Sequence, residues 1–208
     1  MRKRDRVYRC SWDKVDNSFS VLKIHMRKKF LPEKARVLDL FCGEGEMYHG
    51  AYKGNVEAYH GVDKKKIHDS SMCTLEDNKA WLKTRDAEGY NVFDLDDYGS
   101  PWTLIYLLMS KVTATEITLF VTDGTLVRMR LSGQPTKIVS ATSKVPMRMN
   151  VPGLSRWYEA CFKTMLADAA ERNGYEIVRM VKADNRVKDS NRMSVYYWAI
   201  KLAKLTNA

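Results

Sequence analysis

The sequence predicts an α/β fold, a single domain on a central, mostly parallel seven-stranded sheet with helices on both faces. Three observations predict it. Short apolar, β-rich runs alternate with helix-length segments about five times before a final pair of strand-like runs, and such alternation builds a parallel sheet layered with helices. Four of the runs end in acids or glycines, the residues that line the carboxyl edge of such a sheet, where ligands bind. The chain has 208 residues, 45% hydrophobic and 29% charged, which suits one packed domain and excludes a disordered chain.

Residues 1–34 read as a basic N-terminal extension, with Arg2, Lys3, Arg4, Arg6 and Arg9 at its start and Arg27, Lys28 and Lys29 near its end. Residues 19–30 have helical character, and Pro32 stops them. The domain itself is assigned to residues 35–208. Its first strand is 36–41 (RVLDLF), a compact apolar run closed by Cys-Gly. A short helix is expected over 46–52, and strands over 57–62, 72–75 and 91–95. The helix over 77–85 has Asp77 near its N-cap, and the helix over 101–111 opens on a proline that a first turn tolerates. Residues 117–121 (ITLFV) make a fifth strand. Residues 125–152 carry Gly133, Pro135, Pro146 and Pro152 among basic residues, and read as an insertion on the substrate side and not as core. Leu154, Trp157, Tyr158, Cys161, Phe162, Met165, Leu166 and Ala169 then recur at three- and four-residue spacing, the apolar stripe of a helix that Gly174 closes. Residues 175–181 and 195–202 form a hairpin-like pair around a basic linker, and Tyr196, Tyr197 and Trp198 are expected in the core.

The N-terminus is charged and carries no secretory signal, and no run approaches the roughly 20 apolar residues of a membrane helix. A cytoplasmic protein with no membrane role is expected. Cys10, Cys42, Cys73 and Cys161 show no CxxC spacing, and His25, His49, His60 and His68 do not group as ligands, so no metal site is expected. Cys42 reads as a small buried residue and not as a nucleophile. The net charge of +10 points to a polyanionic partner, because phosphate contacts with counterion release favour basic proteins.

Four strand ends carry the chemistry. In VLDLFCGEGEMY, Gly43 and Gly45 let backbone turn tightly and approach a ligand, while Asp39 sits in an apolar strand where a carboxylate needs partners. Asp63 ends AYHGVD, placed to accept ribose hydroxyls. Asp77 in TLEDNKAWL suits either an adenine amino group or a helix N-cap. In FDLDDYGSPW, Asp96 can accept from an exocyclic amine and Tyr98 can stack on a base. The phosphate-cradling GxxxxGK[ST] is missing, which argues against a nucleotide triphosphatase.

VLDLFCGEG followed by GVD is similar to the first two motifs of class I S-adenosylmethionine (SAM)-dependent methyltransferases. FDLDDYGSP resembles the D-x-D-P-F/Y-G-S/T-P motif of the tRNA guanine-N2 dimethyltransferases. Asp94, Asp96, Tyr98, Gly99, Ser100 and Pro101 match it, and Asp97 stands where that family has proline. LFVTDG looks like that family's fifth-strand segment, and DNKAWL like its adenine-contacting acid with the helix that follows. The resemblance covers residues 36–124. It implies a Rossmann-like class I methyltransferase fold, with SAM held by Asp39, Gly43, Glu44, Gly45, Asp63 and Asp77. It implies a catalytic side of Asp94, Asp96 and Tyr98, and substrate contacts from Tyr98, Gly99, Ser100, Pro101, Thr122 and Asp123. The implied reaction displaces the methyl group onto an exocyclic amine of a base, guanine N2 in RNA favoured over DNA, as in tRNA modification. A small-molecule or protein methyltransferase of the same fold, or a non-catalytic RNA-binding module, are the alternatives.

Overall fold

The computed structural model describes residues 20–97, 99–132, 151–184 and 195–206. Seven strands form one sheet: β1 (Arg36–Asp39), β2 (Ala58–Asp63), β3 (Cys73–Leu75), β4 (Val92–Leu95), β5 (Glu116–Asp123), β6 (Tyr175–Asp184) and β7 (Tyr196–Lys204). Their order is β3-β2-β1-β4-β5-β7-β6. The first five strands are parallel, and β7 runs antiparallel between β5 and β6. The chain winds outward from β1 to β3, then returns to β4 on the other side of β1. The crevice between β1 and β4 is therefore the switch point, with Asp39 level with Asp94.

Strand periodicity splits the core in two, as successive side chains point to opposite faces. Leu38, Phe93, Leu119, Val121, Trp198 and Ile200 face one cluster with Trp81, Trp102, Tyr158 and Phe162. Val37, Val92, Phe120, Tyr197 and Ala199 face the other with Met26, Phe30 and Tyr52. The first face is covered by α2 (Asn78–Thr84), α3 (Trp102–Met109), α4 (Thr125–Ser132) and α5 (Val151–Glu171), the second by α1 (Ser20–Phe30) and a π-helical turn (Tyr48–Tyr52). On α5 the apolar stripe places Phe162 between Trp102 and Trp198, with ring centroids 4.8 and 4.3 Å away. Gly174 ends the segment at φ 75°. Among the described residues no helix is long and apolar enough to cross a membrane.

The structure departs from the sequence reading in two places. Residues 125–132 are helical, with Leu126 and Met129 in the core, because TLVRMRLS contains no breaker and the glycine and prolines begin only at Gly133. The rest of the proposed insertion, 133–150, lies outside the described residues, as do the basic cluster at 2–9 and the linker over 185–194. The extension's helix is not a solvated basic face. Lys23, Met26, Arg27 and Phe30 of α1 are buried against the sheet, while Lys28 and Lys29 stay exposed. The short helix expected over 46–52 is present, its last five residues wound as the π turn.

Candidate functional site

The carboxyl edge of β1, β2 and β4 gathers most of the residues singled out in the sequence. After β1 the chain turns through Gly43 (φ 48°) and Gly45 (φ 80°), both in the left-handed region that favours glycine. Asp63 ends β2 and accepts the Gly43 N–H at 3.3 Å and the Lys65 N–H at 2.8 Å, so it ties the glycine turn to the next loop. Glu44 is exposed and pairs with Lys66 at 2.7 Å. Asp77 caps α2, accepting from the Lys79 and Ala80 N–H groups, and is itself exposed. Register places Leu75 beside Asp63, and Leu75 is 59% exposed. This apolar side chain between two acids suits the face of a flat base, and sequence patterning did not single it out. Glycine turn, Asp63, Leu75 and Asp77 together fit a nucleoside cofactor: backbone for close approach, a carboxylate for the ribose, an apolar face for the base.

Asp39 lies beneath this surface. It is 1% exposed, and its oxygens accept from the Phe41 N–H and the Tyr59 hydroxyl, each at 3.0 Å. Burial and the neighbouring Asp94 push its carboxyl well above the usual range. Through these bonds it stiffens the turn from below.

Across the switch point, β4 carries two acids in opposite situations. Asp94 is fully buried and clamped by Arg27, whose Nε and Nη2 each donate at 2.6 Å, with the Tyr52 hydroxyl donating at 2.5 Å. Asp96 keeps 13% of its side chain exposed. Lys23 donates to its two oxygens at 2.7 and 2.9 Å, and the Thr122 hydroxyl to one of them at 2.5 Å. Burial opposes its ionisation, but Lys23 and Arg27 outweigh that and hold the carboxyl below its usual range. Both cations come from α1, stacked on the rings of Tyr197 and Phe120. No local motif flags them, since their acids lie 67 and 73 residues away in the chain.

The turn after β4 leads into α3. Gly99 donates to Asp97 at 3.1 Å and accepts from the Gly124 N–H at 2.9 Å, which joins the β4 and β5 tips. The Ser100 hydroxyl is buried with no hydrogen-bond partner among the described residues, and Pro101 precedes the first turn of α3. Tyr98 lies outside the described residues. Asp123 is fully buried: it accepts the Thr125 N–H at 2.9 Å and the Tyr158 hydroxyl at 2.7 Å, and burial raises its carboxyl to about 6. Its oxygens serve the start of α4 and the core.

Two further groupings escaped the sequence reading. Lys64, Lys65 and Lys66 directly follow Asp63 and are exposed at the same edge. Cys42, His68 and Cys73 meet, their ligating atoms all within 4.8 Å of one another. Neither thiol sits at a recognisable spacing, and only folding brings them together.

No protein-family profile matches the sequence, and no curated relative does so. Solved structures share the fold. M. jannaschii TYW2 in complex with AdoMet (SAM) is 10% identical, with a TM-score of 0.56 over 89% of this chain and 75% of that one. A provisionally assigned RNA methyltransferase from Pyrococcus horikoshii is 8% identical, with a TM-score of 0.51 over 93% and 86%. A provisionally assigned hemolysin from Lactococcus lactis is 11% identical, with a TM-score of 0.50 over 91% and 88%. The seven-stranded, mostly parallel sheet with helices on both faces is a Rossmann-like fold, shared with these structures.

Proposed function

We propose that the protein is a SAM-dependent methyltransferase acting on an exocyclic amine of a nucleic-acid base, guanine N2 in RNA first. The observation that carries this reading is the meeting, at one switch point, of a glycine turn tied to Asp63 with a second, partly exposed acid, Asp96. The TYW2 and RNA methyltransferase neighbours support the cofactor and the substrate class. The net charge of +10 and the exposed Lys64–Lys66 run beside Asp63 support a polyanionic substrate.

In this reading Gly43 and Gly45 present backbone to SAM, Asp63 takes the ribose hydroxyls, and Leu75 and Asp77 border the adenine. Glu44 contributes at the rim. When bound, SAM supplies a methyl group made electrophilic by its sulfonium. Asp96 accepts a hydrogen bond from the target amine and orients its lone pair toward that methyl. Held below the usual carboxylate range by Lys23 and Arg27, Asp96 is a weak base. It therefore orients the amine, and the proton leaves to solvent from the more acidic methylated nitrogen. Tyr98 offers a stacking face, and Gly99, Ser100 and Pro101 shape the wall beside it. Thr122 positions Asp96. Asp39, Asp94 and Asp123 hold the scaffold.

Transfer of tritiated methyl from SAM to total RNA, with DNA, protein and small-molecule pools in parallel, tests the proposal. Label in N2-methylguanosine is expected. Label confined to protein or small molecules contradicts the nucleic-acid assignment, and no label in any pool contradicts the enzymatic one. Asp96→Asn is expected to lower turnover by about a hundredfold or more while SAM affinity is retained.

A further inference from the structure

We propose that Cys42, His68 and Cys73 bind one thiophilic divalent cation, zinc in the first instance. The inference does not depend on the methyl-transfer reading. Two thiols and an imidazole make a borderline-soft ligand set that favours zinc over magnesium or calcium. The geometry suits it. The Cys73 Sγ lies 3.6 Å from His68 Nδ1, and the three ligating atoms fall within 4.8 Å of one another. Tetrahedral zinc, with bonds of about 2.3 Å to sulfur and about 2.0 Å to nitrogen, holds its ligand atoms roughly 3.5–3.8 Å apart. Small side-chain rotations bring the trio to that spacing.

The surrounding backbone makes room for the cluster. A Cβ at Gly61 would lie 2.7 Å from both the Cys42 Cβ and the Cys73 Sγ. A Cβ at Gly45 would lie 2.5 Å from the His68 ring. His68 is held by Tyr48, stacked on it at 4.9 Å between centroids. Cys42 and Cys73 are buried, and His68 is partly exposed, which leaves a way in for an ion. The three ligands come from the loop after β1, the β2–β3 loop and the first residue of β3. A bound cation would therefore fasten the glycine turn to the loop that follows Asp63. Binding forms two metal–sulfur bonds and one metal–nitrogen bond. The two thiol protons go to solvent, and His68 binds as the neutral imidazole. Three protein ligands leave the fourth position to water.

The test uses the full chain, stripped with a chelator, dialysed under a reductant that does not bind metal, and titrated with Co²⁺ and then Zn²⁺. Expected are one equivalent of Co²⁺ per chain, a thiolate-to-cobalt absorption band, its loss on adding Zn²⁺, and a higher Tm with Zn²⁺. Cys73→Ser and His68→Gln should each weaken binding by roughly tenfold or more, while Cys161→Ser, a buried thiol outside the cluster, should not. His68 is only partly buried, so His68→Gln reports on ligation with the fold intact, as circular dichroism would verify. Failure of the wild-type chain to bind either metal stoichiometrically overturns the proposal. Binding that His68→Gln and Cys73→Ser leave unchanged overturns it too, as does a Cys42–Cys73 disulfide in a freshly purified chain that takes up no metal after reduction.

Discussion

At the scale of single residues, the acids of β4 and β5 differ by how they are compensated. Asp94 is fully buried and has Arg27 as its bidentate partner. Arg27→Met leaves that charge unpaired and is expected to cost about 3–5 kcal/mol in urea denaturation. Lys23→Met should cost less, about 1–2 kcal/mol, because Asp96 reaches water and keeps the Thr122 hydrogen bond. The two remaining signatures have opposite signs in pH. Asp96 titrates lower in the folded protein than in the unfolded chain, so its contribution is present above the ordinary carboxylate range and is lost as pH falls through the folded value. Asp123 titrates near 6 when folded, against about 3.9 unfolded. Between those values the folded state holds more protons, so stability falls as pH rises from about 4 to about 6, by roughly 2–3 kcal/mol. Asp123→Asn should flatten that slope in denaturation curves taken across the same range, and an unchanged slope would contradict the assignment. Asp63 and Gly43 were legible because their signal is local, an acid or a glycine at the tip of an apolar run. Arg27 was not, because a buried arginine looks like a surface one until its partner is found.

At the scale of elements, the strands were the most legible part. Runs such as VFDL and ITLFV are buried on both faces and so read as continuous apolar stretches. The amphipathic stripe of α5 was equally clear. Phe162, stacked on Trp198 and tilted against Trp102, is expected to cost about 3–5 kcal/mol when changed to alanine. Gly174→Ala should cost only about 1 kcal/mol, because a Cβ there meets nothing within 4 Å and only the positive φ is penalised. Thermal denaturation of the two variants checks the contrast. The helix α1 was expected but its burial was not, and α4 was read as part of an insertion. In α1 the inward positions include Lys23 and Arg27, so the buried face does not register as apolar. In α4 the sequence places Arg128 and Arg130 beside the buried Leu126 and Met129.

At the scale of the whole molecule, doubly wound topology brings the tips of β1, β2 and β4 to one crevice. In the proposed function β1 supplies the turn, β2 the acid offered to the ribose, and the end of β4 the acid offered to the target amine. The placement of these strand ends was legible in outline from motifs that lie 20 or more residues apart, because the fold that unites them is itself written in the strand pattern. The contributions of α1 and of the Cys42, His68 and Cys73 cluster arise only when distant segments meet. The most direct test of the central claim is calorimetric titration of the purified chain with SAM, beside Asp63→Ala. The account predicts binding of one SAM per chain, and weakening by about tenfold or more in Asp63→Ala with the fold unchanged, as expected for loss of charge-assisted hydrogen bonds to the ribose. No binding by the wild-type chain, or equal affinity in both proteins, would contradict it.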